Sequence, residues 1–170
     1  MSELTLTFAA AVYTPETGDR MAMLKFVEKQ KAKSIKVGGL LQEAFFSADG
    51  ELAGINAIDV TTGERILISR PMRNTDECGL DVSTLTQLTE VIEKARTEQL
   101  DLVVIEKFGN LEQDGNGLND EILQTIADGI PLLISVPEAA LAIWQERSGE
   151  LGSVIEFTEE SFEYWWQGVK

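Results

Sequence analysis

Histidine is absent from this chain and cysteine occurs once, as Cys78. Without imidazole the chain lacks the commonest general base and the commonest transition-metal ligand, which excludes a serine–histidine triad or a zinc hydrolase of the ordinary kind. A single thiol forms no internal disulfide framework, and Asp76, Glu77 and Asp81 around it oppose its ionisation, so Cys78 reads as inert or packed. Positive charge is also scarce. Fourteen basic residues stand against 29 acidic ones, a net charge of −15, and such a chain gains no affinity from nucleic-acid phosphates or from an anionic membrane surface. No apolar stretch approaches the length of a membrane span, and no segment has the basic, apolar, small-residue order of a signal peptide, so the cytoplasm is the expected compartment.

What is present is an ordinary globular composition, 44% hydrophobic and 25% charged over 170 residues, enough for one domain with its own core. Leu4 to Val12 reads as a buried strand. From Asp19 the apolar Met21, Leu24 and Val27 recur at helical spacing, which predicts a helix to about Lys33, and "IKVGGLL" (35–41) predicts a second strand. This strand–helix–strand unit builds a parallel sheet. Turn pairs at Asp49-Gly50 and around Thr62-Gly63-Glu64 then predict a three-stranded antiparallel meander that ends at Arg70-Pro71.

After a polar loop, Leu85 to Ala95 mark one face of a helix, and "DLVVIEKFG" has the form of a strand buried on both faces. Leu118 to Ile126 predict another helix closed by Gly129. "IPLLISV" is a further buried strand, with Pro137 placed in the first turn of the helix that carries Ile143 and Trp144. Val154 to Phe157 is a short strand, and in "TEESFEYWWQG" Thr158 caps a helix that Gly168 stops, with Phe162, Trp165 and Trp166 as its apolar stripe. The expected fold is an α/β three-layer sandwich with a mainly parallel sheet and an antiparallel hairpin excursion, one domain over 1–170 with 157–170 a C-terminal helical extension.

In such sheets ligands bind beyond the carboxyl ends of the strands. The segments there are Tyr13 to Arg20, Gln42 to Glu43, Glu106 to Gly117 and Val136 to Glu138. The first stands where a phosphate loop would, between a buried strand and a helix. A working loop needs glycines for close backbone approach, a lysine for the outer phosphates and a serine or threonine for magnesium. After Thr14 this chain offers Gly18-Asp19-Arg20: one glycine, an aspartate where the lysine would be, and one arginine. Asp19 reads equally as a helix cap, while Arg20 and the free amides of a helix N-terminus suit an anion.

Glu106 ends the second buried strand, where a magnesium-directed acid would stand, although charges also gather at strand ends for solvation alone. Lys107 could supply from across the crevice the positive charge that Asp19 lacks, and Gly109 with Asn110 could bring backbone amides to a ligand.

The segments "IKVGGLLQE", "IDVTTGERILISR", "CGLD", "DLVVIEKFGNLE", "GLNDEI", "ADGIPLLISV" and "LAIWQERSG", in this order over residues 5 to 149, resemble a bacterial family whose members accompany molybdenum-transport genes. They are labelled molybdenum transporter ATP-binding proteins. That family is similar to small P-loop nucleoside triphosphatases and commonly lacks the phosphate-loop lysine. The resemblance implies a P-loop-like fold with a degenerate phosphate loop that binds a small anion or a nucleotide, with magnesium, as an accessory protein without efficient hydrolysis. Two other readings stay open: a triphosphatase or phosphotransferase with Glu106 on magnesium, and a non-enzymatic module that meets a protein partner through the acidic surface or the C-terminal aromatic helix.

Overall fold

The computed structural model describes residues 7–17, 21–69, 82–106, 108, 115, 118–149 and 151–169. Among the described residues seven strands, β1 (Phe8–Tyr13), β2 (Val37–Phe46), β3 (Leu52–Asp59), β4 (Arg65–Ser69), β5 (Leu102–Ile105), β6 (Leu132–Pro137) and β7 (Ser153–Glu156), form one sheet in the order β4-β3-β2-β5-β6-β1-β7. The pairs β2–β5, β5–β6, β6–β1 and β1–β7 are parallel, and β2–β3 and β3–β4 are antiparallel. The described helices are α1 (Ala22–Ala32), α2 (Val82–Thr97), α3 (Asn119–Ala127), α4 (Leu141–Arg147) and α5 (Glu159–Val169).

Alternation along the strands divides the core in two. On β1, Phe8 and Ala10 join Val103, Ile105, Leu132 and Ile134 beneath residues of α2, α3 and α4. Ala9 and Ala11 join Leu102, Val104 and Leu133 against Met23, Phe26 and Phe162 of α1 and α5. Because successive side chains of a strand point to opposite faces, the apolar runs of β1, β5 and β6, with Ser135 buried among them, are what a sheet covered by helices on both sides requires. The three-layer sandwich expected from the sequence is the fold observed.

Several local expectations give way to the coordinates. The run at 35–41 and the first hairpin arm are one ten-residue strand, so Gln42 and Glu43 lie inside β2 rather than in a loop at its end. β2 outlasts β5 because β3 continues to pair with it as far as Phe46. Helix α1 starts at Ala22 rather than at Asp19, with Met21 in the N-cap position and its side chain making no capping hydrogen bond; Asp19, expected as the cap, lies outside the described residues. Pro137 closes β6 in an extended conformation and precedes a single 3-10 turn, Glu138–Ala140, before α4. Gly129 does close α3, with φ of 76°. Gly168 does not stop α5, which runs on to Val169.

The aromatic stripe of α5 is not a free surface. Phe162 is fully buried, Trp165 and Trp166 nearly so, and Phe162 meets Phe26 edge-on at 5.7 Å and Phe157 at 5.4 Å. Tyr164, on the other side of the helix, is exposed. No helix among the described residues is long and apolar enough to cross a membrane. Cys78 lies outside the described residues.

Candidate functional site

The parallel strands bring the ends of β1, β5, β6 and β7 to one edge of the sheet, with β6 between β1 and β5. Thr14, which follows β1, and Glu106, which follows β5, therefore stand two strand spacings apart, about 10 Å in a regular sheet. Of the residues that sequence reasoning assigned to the site, these two are described. Gly18, Asp19, Arg20, Lys107, Gly109 and Asn110 lie outside the described residues.

The loop after β1 is closed on itself over Thr14 to Thr17. The Thr17 N–H donates to the Thr14 carbonyl at 3.1 Å, the Thr14 N–H to Thr17 Oγ1 at 2.9 Å and the Glu16 N–H to Thr14 Oγ1 at 3.2 Å. Pro15 occupies the second position of this turn, which its fixed φ suits. Three amides of the loop are thus committed internally, and Thr14 acts as a turn-closing hydroxyl. The start of α1 differs. The Met21 side chain at the N-cap position makes no capping hydrogen bond, the first turn carries no acidic residue, and the helix is eleven residues long, so its positive end meets no carboxylate of its own first turn.

Glu106 continues the strand ladder in an unusual way. Its N–H donates to the Leu40 carbonyl at 2.8 Å, and its Oε2 accepts the Gln42 N–H at 2.6 Å. The carboxylate stands in for the strand partner that β5 no longer offers there, and it leans toward β2. Oε1 takes no part in that bond. Among the described residues no group of three or more acidic or thiol side chains could hold a metal ion; a single carboxylate such as Glu106 serves a magnesium ion alongside water and phosphate oxygens.

On the other side of β1 the structure opens a cavity of ≈ 550 Å³ that sequence reasoning missed, lined by Val12, Thr17 and Ala22 and, from the β7–α5 junction, by Glu156, Phe157 and Glu160 among others. Phe157 forms a buried wall. Glu159 at its edge is engaged by Lys29 at 2.8 Å, while among the described residues no cation pairs with Glu156 or Glu160. The available signal was the pattern itself: 154–158 repeat the strand-then-helix transition of β1, but nothing in linear order says that β7 is the neighbour of β1.

Comparison with known proteins fits this architecture. The chain is 31% identical over 160 residues to the molybdenum import ATP-binding protein ModC 2 of Bradyrhizobium diazoefficiens, covering 94% of this chain and 18% of that protein. It is 28% identical over 122 residues to the nucleoside-triphosphatase THEP1 of Thermoplasma volcanium, covering 68% of this chain and 66% of the relative. The crystal structure of THEP1 from Aquifex aeolicus superposes with a TM-score of 0.64 over 95% of this chain and 96% of that one at 17% identity. The fold is thus that of a P-loop nucleoside triphosphatase. A family model described as "Protein of unknown function (DUF2478)" matches residues 8–165, and the chain belongs to that family.

Proposed function

We infer that the protein binds a nucleotide or a small oxyanion at this edge of the sheet, without efficient hydrolysis. The observation that carries the reading is a polarity across one site. The N-terminus of α1, with no acidic residue in its first turn, borders the cavity at Ala22 beside Val12 and Thr17, and the cavity ends in an apolar ring and two carboxylates that pair with no cation among the described residues. A ligand with an anionic tail and a planar head bearing N–H donors matches both ends: phosphates toward the helix dipole, an amino-substituted base against Phe157, Glu156 and Glu160. Gly18, Arg20, Lys107, Gly109 and Asn110 are the expected further contacts to the anion, and Glu106 the expected magnesium ligand. Asp19 in place of a loop lysine argues for weak hydrolysis.

The ModC 2 likeness favours molybdate as an alternative occupant of the anion end, since it is a tetrahedral dianion like phosphate, and it is the basis for a link to molybdenum handling. The THEP1 likeness favours a triphosphate and keeps slow turnover as the competing reading. Calorimetric titration with ATP, GTP, phosphate, molybdate and tungstate, with and without magnesium, tests all of these. Binding of a nucleotide or an oxyanion is expected. Silence toward every one of them would remove the reading, and brisk release of phosphate from a triphosphate would replace it with that of an enzyme.

A further inference from the structure

The described side chains that line the cavity between β1 and β7 offer a ligand hydrogen-bond acceptors and hardly a donor. Of its three acids, Glu159 is engaged by Lys29 at 2.8 Å, while Glu156 and Glu160 pair with no cation among the described residues. A carboxylate only accepts hydrogen bonds. The hydroxyls at the rim are already in use. Thr158 Oγ1 donates to Ser161 Oγ at 2.9 Å and accepts the Ser161 N–H at 3.1 Å, and Thr17 Oγ1 accepts the Thr14 N–H at 2.9 Å. The apolar wall is fixed in place, because the Phe157 ring meets Tyr13 edge-on at 5.9 Å and Phe162 at 5.4 Å.

We propose that this cavity selects guanine over adenine, with Glu156 and Glu160 as the residues that read the base. The proposal rests on the nucleotide reading above and adds which base is taken. Guanine sets two neighbouring donors, N1–H and the N2 amino group, on one edge, and a single carboxylate accepts both as a fork. Adenine presents one amino group beside the ring acceptors N1 and N7. A carboxylate that takes an amino proton of adenine turns its second oxygen toward a ring-nitrogen lone pair, so two acceptors face each other. Cytosine has the same fault at N3. A polar site discriminates most strongly where the wrong ligand leaves buried polar groups unpaired. Either purine suits the Phe157 wall, which therefore adds affinity without choosing. Glu160 also serves the first turn of α5, where negative charge is favoured. Glu156 closes β7 and has no such second role among the described residues, so Glu156 carries the fork and Glu160 adds acceptor capacity beside it.

Calorimetry with GTP, ITP and ATP on the wild type, E156Q and E160Q tests this, and guanosine against adenosine repeats the comparison without the anion end. GTP is expected to bind about tenfold tighter than ATP, the discrimination of one good bidentate base contact. ITP, which keeps N1–H and lacks the N2 amino group, should fall between them, and guanosine should bind more tightly than adenosine. In E156Q an amide donor replaces half of the fork, and the ratio of GTP to ATP affinity is expected to fall to within about twofold of one. E160Q should lower the ratio less. The ratio separates base reading from a structural role, since a damaged fold weakens GTP and ATP alike. Equal affinity for GTP and ATP in the wild type, tighter binding of ATP, or a GTP preference that survives both substitutions overturns guanine selection and leaves nucleotide binding in place. Failure of every nucleotide and nucleoside to bind removes the nucleotide reading itself, and this proposal with it.

Discussion

The Gln42 backbone N–H and Glu106 Oε2, 2.6 Å apart, join two strands after their backbone ladder has ended. The parallel pairing of β2 with β5 covers Val37–Leu40 and Leu102–Ile105, and one residue later a side chain has taken over as acceptor. A carboxylate that candidates for a metal site thus also completes the sheet, and the two roles separate by substitution. Glu106→Ala leaves a partly buried N–H unpaired and is expected to cost about 1–3 kcal/mol. Glu106→Gln keeps an acceptor oxygen and should cost less than about 1 kcal/mol, while removing the charge a magnesium ion needs. Urea denaturation of both variants checks the difference, and equal losses would show that the Gln42 bond carries little.

Gly39 fixes how closely β2 approaches β5. Its φ is 118°, and a Cβ there would fall 2.0 Å from the Val104 carbonyl oxygen, a backbone atom at the centre of the sheet. Gly39→Ala is therefore expected to cost on the order of 4 kcal/mol, the range of severe core disruption. Gly50, in the β2–β3 turn with φ of 85°, has nothing within 4 Å of the same probe atom. Gly50→Ala should lose only about 1 kcal/mol, the cost of the left-handed conformation itself. Denaturation midpoints for the two variants separate steric from conformational cost, and a mild Gly39→Ala would show that β5 can give way.

Thr158 holds the start of α5. The Ser161 N–H donates to Thr158 Oγ1 at 3.1 Å, an N-cap bond at the third helical residue. Thr158→Ala is expected to cost about 1 kcal/mol, with Thr158→Ser restoring most of it. Since α5 carries Phe162, Trp165 and Trp166 into the core beside α1, the loss should appear in the global unfolding transition followed by tryptophan fluorescence. Fraying of α5 alone, with the main transition unmoved, would contradict it.

Much of this architecture was legible because burial on both faces leaves a simple mark: β1, β5 and β6 read as apolar runs whatever their order in space. Glycine turn pairs likewise located the meander. Where the reading missed, distant partners had decided the matter. Gln42 and Glu43 look like loop residues in sequence and belong to a strand because β3 lies beside them. Gly168 stays helical because the aromatic residues before it are packed in the core. The order of strands is not written locally at all, so the cavity between β1 and β7 was hidden even though its lining residues were in plain view.

Glu121 gives a test of the electrostatics away from the site. Its Oε2 lies 3.0 Å from Arg96 Nη2, and both side chains are largely shielded from water, yet the contact is not aligned as a hydrogen bond and Arg96 Nη1 is buried without a partner. Burial raises the Glu121 pKa above its ordinary 4.5; Arg96 opposes this, and Glu93 and Asp120 add to it. Desolvation outweighs the ion pair, as happens when charges leave water without full hydrogen bonding. Above pH 4.5 the folded state then holds the proton more tightly than the unfolded chain, so Glu121 subtracts stability as pH rises through that window and returns it as pH falls. The stability difference between the wild type and Glu121→Gln isolates this one group from the other acids. It is expected to shift in favour of the wild type as pH is lowered from 7 toward 4.5 in a series of urea titrations. A difference that stays flat, or that moves the other way, would mean that Arg96 holds the carboxylate charged after all.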